Sequence, residues 1–416
     1  MSTVPPVIND RELSSWKEIA THLGVTVRTA QKWEHERGLP VRHLPGPRRG
    51  RVLITVGELE AWKRSSDTLP TVAARHRWWR LAVPILAVVL GVVAVLAWPR
   101  PGAPARYRVQ HDALIVMDRH GRELWRKPFD GLQVAEYTTD EKLWFGDLDG
   151  SGTVSVVFLV HAVRQGVPES LIAYNHNGVE RWRFTPGRTV HTSRESFAPL
   201  FHPARFLVAP FGRDGKLRIA VASTHHEDYP SQIALLDNNG HLLREYWHSG
   251  HLPFLLATDV GQGWNVLLAA GISNARKAAT LLVLDPDHFT GASKEDNAAY
   301  QLQDLPPPVE AARLLFPRSC INEKLEPYAI ITKLWKDGDT IALEVQHRAS
   351  PPDATIFYHL NPDLTLNTVD VGTSFERAHL ALHASGIIDH DLTQAEAAKF
   401  RHLTYLTGEP YSALNR

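Results

Sequence analysis

Eighteen consecutive residues, Leu81–Trp98 (LAVPILAVVLGVVAVLAW), carry no charge. Wound as a helix at about 1.5 Å per residue, such a run roughly matches the hydrocarbon layer of a bilayer. Trp78 and Trp79 precede it and Trp98 closes it, where indole rings suit the headgroup level. Pro84 falls in the first turn, where a missing backbone N–H costs little. A buried helix of a soluble domain would show a polar face, and this run has none. A cleaved signal would sit at the extreme N-terminus, whereas 80 residues precede this run. The expectation is one transmembrane α-helix over 81–98.

That stretch divides the chain by charge. Residues 1–80 hold 14 Lys and Arg against 8 Asp and Glu, and residues 99–416 hold 31 against 37. The formal net charge of zero therefore hides a basic head and an acidic body, which argues for different partners. Five cations (Lys63, Arg64, Arg75, Arg77, Arg80) flank the run upstream and three (Arg100, Arg106, Arg108) downstream. The bias predicts a single-pass inner-membrane protein with a cytoplasmic N-terminus and a periplasmic C-terminal domain, the lipid bilayer being one partner. Cys320 is the lone cysteine, so no intrachain disulfide forms. The body has material for a core without one.

In the head, LSSWKEIATHLG (13–24) opens with a helix-start signal: Ser14 or Ser15 as N-cap, and Glu18 to complete a capping box. Trp16, Ile19, Ala20 and Leu23 share one helical face. Gly24 ends the helix and Thr26 caps a second, TVRTAQKWEHERG. There Val27, Ala30 and Trp33 are expected inward, and Arg28, Thr29, Gln31 and Lys32 outward. Leu39-Pro40 then leads into VRHL, PGPRRGR and VLIT, a hairpin pattern with Arg42 and His43 on its incoming strand and Arg48, Arg49 and Arg51 at its tip. A further short helix starts at Val56.

The order helix, turn, helix, LP step, basic hairpin, helix over 13–64 resembles the winged helix-turn-helix DNA-binding domains of the MerR/excisionase type. The resemblance rests on WKEIATHLGVTVRTAQKWEHERGLPV and the later ELEAW. It implies a second helix in the major groove of double-stranded DNA, with contacts from Thr26, Arg28, Thr29 and Lys32. It also implies a wing on the backbone, through Arg42, His43, Arg48, Arg49 and Arg51. Glu34 and Glu36 weaken the positive potential of the second helix, and such domains often bind two half-sites, so a homodimer stays open. MerR activators continue into a long dimerisation helix; here a linker (65–80), the apolar run and a Pro-rich spacer (99–106) take its place.

The body, 107–391, repeats an apolar run, a turn with Asp or Asn, a Gly and an aromatic run. The unit appears at 113–129, 170–187, 231–250, 280–291 and, worn, at 355–369; Asp118, Asn175, Asp237 and Asp285 mark four of the turns. Strand pairs at 143–160 and 205–224 lie between. Four short strands per period of roughly 50–60 residues predict an all-β propeller of about five to seven blades. FGDLDGSGTVSVVFLV followed by SLIAYNHNGVERWRF resembles FG-GAP repeats, and more loosely quinoprotein-type propellers with a Trp per blade. The resemblance implies a calcium loop with Asp147, Asp149, Ser151 and Thr153 as oxygen ligands. The same Asp-x-Asp-Gly sequence also simply closes a β-turn. Trp125, Trp182 and Trp247 after the turns read as packing between blades, and His225, His226, Glu227 and Asp228 as a polar loop cluster. LTQAEAAKFRHLTYLTG, in the C-terminal segment 392–416, has helical spacing with Thr393 and Glu396 as a capping box.

The expected fold class is thus multi-domain: a small α+β winged helix-turn-helix, one transmembrane helix, and a propeller with a C-terminal helix. No nucleophile elbow, phosphate loop or zinc-protease motif occurs, so no enzymatic activity and no obligatory cofactor is expected. The function expected is a membrane-anchored one-component transcription regulator whose propeller binds an extracytoplasmic ligand or protein. The alternatives are a membrane-anchored propeller enzyme or an envelope scaffold with the head as a regulatory or protein-interaction module.

Overall fold

The computed structural model describes residues 11–44, 51–66, 102–110, 112–129, 131–132, 137, 142–161, 169–225 and 229–408. They fall into two units, Met1–Pro99 and Arg100–Arg416.

In the N-terminal unit, β1 (Glu12–Leu13) precedes α1 (Trp16–Leu23) and α2 (Val27–Arg37), followed by β2 (Arg42–Leu44), β3 (Arg51–Thr55) and α3 (Val56–Ser66). Ser15 caps α1 by accepting the Glu18 N–H, and Glu18 reaches back to the Ser14 N–H at 2.8 Å. Thr26 caps α2 through the Thr29 N–H. Thr55 and Glu58 form the reciprocal pair at α3. The strands pair antiparallel in the order β1-β3-β2. Leu13, Val52 and Ile54 from the sheet meet Ile19, Leu39 and Leu59, and Trp16, Trp33 and Trp62 close the rim of this core. Val27, expected inward, is 39% exposed.

In the larger unit, five antiparallel sheets follow one another along the chain. The first is β4 (Arg106–Gln110), β5 (Ala113–Met117) and β6 (Glu123–Pro128). The second is β7 (Leu143–Gly146), β8 (Ser155–Val160), β9 (Ser170–Tyr174) and β10 (Glu180–Phe184). A two-stranded hairpin, β11 (Val190–His191) and β12 (Ser196–Phe197), leads to the third: β13 (Phe201–Phe211), β14 (Lys216–His225), β15 (Ser231–Leu236) and β16 (Leu242–His248). The fourth is β17 (Phe254–Asp259), β18 (Asn265–Ser273), β19 (Ala278–Leu284) and β20 (Ala312–Leu315). The fifth is β21 (Ile330–Asp337), β22 (Thr340–Arg348), β23 (Ala354–Leu360) and β24 (Leu366–Val371). Three short helices, α4 (Cys320–Lys324), α5 (Thr373–Ala384) and α6 (Gln394–Lys399), accompany the last two sheets, and β25 (Thr404–Thr407) pairs with β20.

The inner strands are apolar throughout because both of their faces are covered. In β8, Val156 and Phe158 pack toward the first sheet, while Val157 and Leu159 pack toward the third. In β19, Leu282 and Leu284 face the third sheet, and Leu281 and Val283 the fifth. Four of the five repeated sequence units are hairpins at the end of a sheet, β5–β6, β9–β10, β15–β16 and β23–β24, whereas 280–291 holds the end of β19 and the turn after it. In the first three hairpins the turn is tied by a side-chain oxygen that accepts backbone N–H groups two and four residues on. Asp118 takes those of His120 and Arg122, Asn175 those of Asn177 and Val179, and Asp237 those of Asn239 and His241.

A latch then joins the second and third of these turns to the preceding sheet. The Trp125 indole of β6 lies over Gly178 and donates to the His176 carbonyl at 3.0 Å. The Trp182 indole of β10 lies over Gly240 and donates to the Asn238 carbonyl at 3.0 Å. A Cβ at Gly178 or Gly240 would stand 2.7 or 2.6 Å from indole carbon, and both glycines have φ +79°, a region that side chains disfavour. In the third sheet Arg244 holds the equivalent position and donates to the Asp287 carbonyl at 2.7 Å. Trp247, three residues later, is buried against Phe201 instead.

Buried polar groups knit the later sheets. Arg313, 3% exposed, meets Glu295 at 3.0 Å and Glu310 at 3.3 Å. Tyr246 and Thr407 both donate to Glu310. His248 lies beside this group and bonds Ser293; burial, then the Arg313 charge, pull its pKa down to about 3. His347 donates from Nδ1 to Asn322 at 2.7 Å, and burial pulls its pKa down to about 3 as well.

Four expectations are corrected. First, no helix among the described residues is long and apolar enough to cross a membrane. The transmembrane helix is withdrawn, and with it the bilayer partner and the inner-membrane, periplasmic localisation. Leu81–Trp98 itself lies outside the described residues, as do 67–80 and 99–101; apolar length is a condition for a span, which also needs the helix. Second, the propeller is withdrawn, no closed sheet being found among the described residues. The apolar clusters join each of the five sheets to the next, and among the described residues none joins the first to the fifth. The sequence period measures strands per sheet and carries no information on closure. Third, the helix-turn-helix label does not describe the chain. Strands predominate over six described helices, and the N-terminal unit is a mixed one, because α1 and α2 bury their faces against a sheet. Fourth, the helix read over 392–408 ends at Lys399, and 404–407 is strand, held by the open edge of β20 and by the Tyr405 hydroxyl on the Leu364 carbonyl.

The latch predicts that Trp182→Phe, which keeps one aromatic ring but loses the donor and part of the cover over Gly240, costs at least about 1 kcal/mol in urea unfolding of the full chain. Gly240→Ala should cost more, through both the clash and the positive φ. The buried histidines predict a pH effect. Their folded pKa values lie below that of the unfolded chain, about 6.5, so the unfolded state takes up protons first as pH falls. Their stabilisation is complete above about pH 6.5 and declines toward pH 3, by about 1.4 kcal/mol per pH unit for each histidine. Urea titrations at pH 7.5 and 5.0 read the slope, and His347→Gln should remove about one proton from it.

Candidate functional site

The outer face of α2 carries Arg28, Gln31, Lys32 and His35 at i, i+3, i+4 and i+7, all exposed. The face exists because Ala30 and Trp33 turn the opposite side into the core, where Trp33 stacks with Trp62 at 5.9 Å. His35 completes the stripe and was legible from that spacing, although the sequence reading did not single it out. Thr26 and Thr29 serve the helix start: the Thr29 N–H reaches the Thr26 hydroxyl at 3.2 Å, and the two hydroxyls lie 2.8 Å apart. Thr29 is half-buried, so Arg28 and Lys32 are the more accessible members of that set.

On the hairpin, Arg42 pairs with Glu58 of α3, and His43 with Glu34 of α2 at 2.6 Å. Lys32 lies 3.6 Å from Glu36. The Thr55 donors, together with Arg42, hold the Glu58 carboxyl below its ordinary pKa. These contacts fix β2 against both helices, but exposed pairs contribute little individually and exchange readily for other anions. Among the described residues, Arg28 and Arg51 enter no ion pair. Arg51 sits at the start of β3, opposite Leu44. Arg48 and Arg49 lie outside the described residues.

The candidate calcium loop follows β7. Asp147 accepts the N–H groups of Ser151 and Gly152 at 3.0 and 2.8 Å. Asp149 accepts the Ser151 N–H at 3.1 Å and pairs with Arg181 at 2.8 Å. Ser151 and Thr153 share a hydrogen bond between their hydroxyls. The carboxylates are thus engaged by backbone donors, and a guanidinium supplies the positive charge. Of the polar cluster, His225 rests edge-on against Phe197 and Phe201; His226, Glu227 and Asp228 lie outside the described residues.

The sequence reading missed a cavity of about 700 Å³ between the fourth and fifth sheets, a volume typical of small-molecule sites. Tyr229, Phe254, Tyr300 and Tyr328 give it an aromatic wall, and His251, Asn274 and Thr332 a few polar atoms. Aromatics scattered over a hundred residues show no spacing that would announce it.

No protein-family model matches the chain, and no curated protein is significantly similar to it. A solved structure titled "Crystal structure of the eukaryotic initiation factor" aligns with 64% of this chain and 62% of its own length, at 8% identity and a TM-score of 0.26. The chain therefore spans less than two thirds of that protein. A likeness of this size carries no argument about fold or function.

Proposed function

We propose that the N-terminal unit binds double-stranded DNA, with the exposed face of α2 in the major groove and the β2–β3 hairpin along the backbone. The larger unit, on this reading, takes a ligand or partner that governs the bound state, so that the chain is a one-component transcription regulator. The observation that carries it is the exposed stripe Arg28–Gln31–Lys32–His35 on α2, with Arg51 on the adjoining hairpin. Arg and Gln there are suited to base edges, and Lys to phosphate. The resemblance of residues 13–64 to MerR/excisionase-type domains supports the same assignment. The aromatic cavity supports a small ligand with an apolar ring, and regulation then requires that this ligand prefer one state of the chain.

A second reading has its own observation. Glu34, Glu36 and Glu58 face three of the side chains offered for DNA, as in a module that recognises another protein with a surface of mixed charge.

Binding of the full chain to mixed-sequence duplex DNA across a salt series separates the two. The DNA reading predicts affinity that falls steeply with salt. Arg28→Ala, Lys32→Ala and Arg51→Ala should each lower the log–log slope by about one for every phosphate that the side chain neutralises. Glu36→Gln, which frees Lys32, should strengthen binding. A folded chain that shows no salt-dependent affinity would overturn the DNA reading in favour of the protein module.

A further inference from the structure

We propose that Cys320, His379, His390 and Glu396 bind one divalent transition-metal ion, with zinc the best match, and that the ion clips the three helices of the larger unit together. One ligand atom from each residue lies within 4.8 Å of those of the other three. Cys320 opens α4, His379 sits in the middle of α5, His390 in the loop after it, and Glu396 in the first turn of α6. Glu396 is the hub: its Oε2 stands 3.0 Å from His390 Nε2 and 3.5 Å from His379 Nε2, and the Cys320 sulfur lies in the same cluster.

The donor set selects the metal. A thiol, two imidazoles and a carboxylate suit a borderline-soft ion in tetrahedral coordination, with bonds of about 2.0–2.3 Å. Calcium and magnesium take oxygen ligands. At those bond lengths tetrahedral ligands stand about 3.4 Å apart, so the cluster needs only a small contraction to close on an ion. His390 carries Asp389 on its other nitrogen, Nδ1 to Oδ1 at 2.9 Å, the carboxylate–histidine arrangement that orients a metal-bound imidazole. On binding, the Cys320 thiol releases its proton to solvent and the sulfur bonds the metal as thiolate.

A metal-free alternative exists, in which protonated His390 is shared between Asp389 and Glu396. It leaves one group unexplained. His379 is 1% exposed, and its Nε2, aimed at the cluster, makes no hydrogen bond, the Glu396 carboxylate standing 3.5 Å away. A buried polar atom without a partner is costly, and a metal ion would satisfy it. Four protein ligands complete a tetrahedron and leave no open position, so the site is structural rather than catalytic. Its place agrees: Ile321, Phe375, Ala378, Leu382 and Phe400 of the same helices and the turn after α6 anchor them to the last two sheets.

The test is a Co²⁺ titration of the chelator-stripped full chain, followed by competition with Zn²⁺. The expected result is one equivalent bound, with tetrahedral ligand-field absorption and a thiolate-to-cobalt charge-transfer band that zinc abolishes. Cys320→Ser should remove the charge-transfer band. His390→Asn, at a side chain 42% exposed and therefore tolerant of change, should weaken affinity at least tenfold while circular dichroism stays as in the parent. Failure of the stripped, folded parent chain to take up Co²⁺ or Zn²⁺ would overturn the proposal. So would uptake whose spectrum and affinity are indifferent to both substitutions.

Discussion

The larger unit depends on an indole laid over a glycine. Sheets with two apolar faces can slide over one another, because dispersion and the hydrophobic effect have no direction. A Trp side chain that must cover a turn of the next sheet, and deliver its N–H to one carbonyl there, removes that freedom. Trp125 over Gly178 and Trp182 over Gly240 do this between successive sheets, and Arg244 continues the pattern by a different donor. The turn that receives the indole is itself held rigid by its Asp or Asn oxygen. Latch and turn are one device, which is why the two recur together in the sequence.

Farther along the chain the register is secured by buried polar groups. Arg313 with Glu295 and Glu310, and His347 with Asn322, sit where an apolar residue would pack without preference for position. Removing either member of such a pair would leave its partner buried and unsatisfied. The three short helices lie in this same region. With 5, 12 and 6 residues they are too short to hold their shape alone, and a shared metal ion would compensate for that.

The elements of both units were readable because their signals are local. Ser15, Thr26 and Thr393 are N-caps in the sequence and N-caps in the structure. The apolar runs became strands, and the Asp and Asn turns became turns. Helix α5 was equally readable, since Phe375, Ala378, His379 and Leu382 are spaced as one buried face, but a repeat-based reading of the body passed over it. The misread pieces were decided by partners distant in sequence. Residues 404–407 have helical spacing and became a strand because β20 offered an unpaired edge. Glu12 and Leu13 became a strand because β3 lay beside them.

The sequence alone determined most of the strands and helices and which cations the head presents, because caps, periodicity and charge act within a few residues. Tertiary structure decided the rest. It decided how the sheets meet, and among the described residues no apolar cluster joins the first to the fifth. It placed Arg42 and His43 next to glutamates, and set Arg181 against Asp149 of the candidate calcium loop. It also gathered Cys320, His379, His390 and Glu396, which lie too far apart along the chain for spacing to register. Convergence of side chains in space is a property of packing, and packing depends on contacts between residues far apart in the chain.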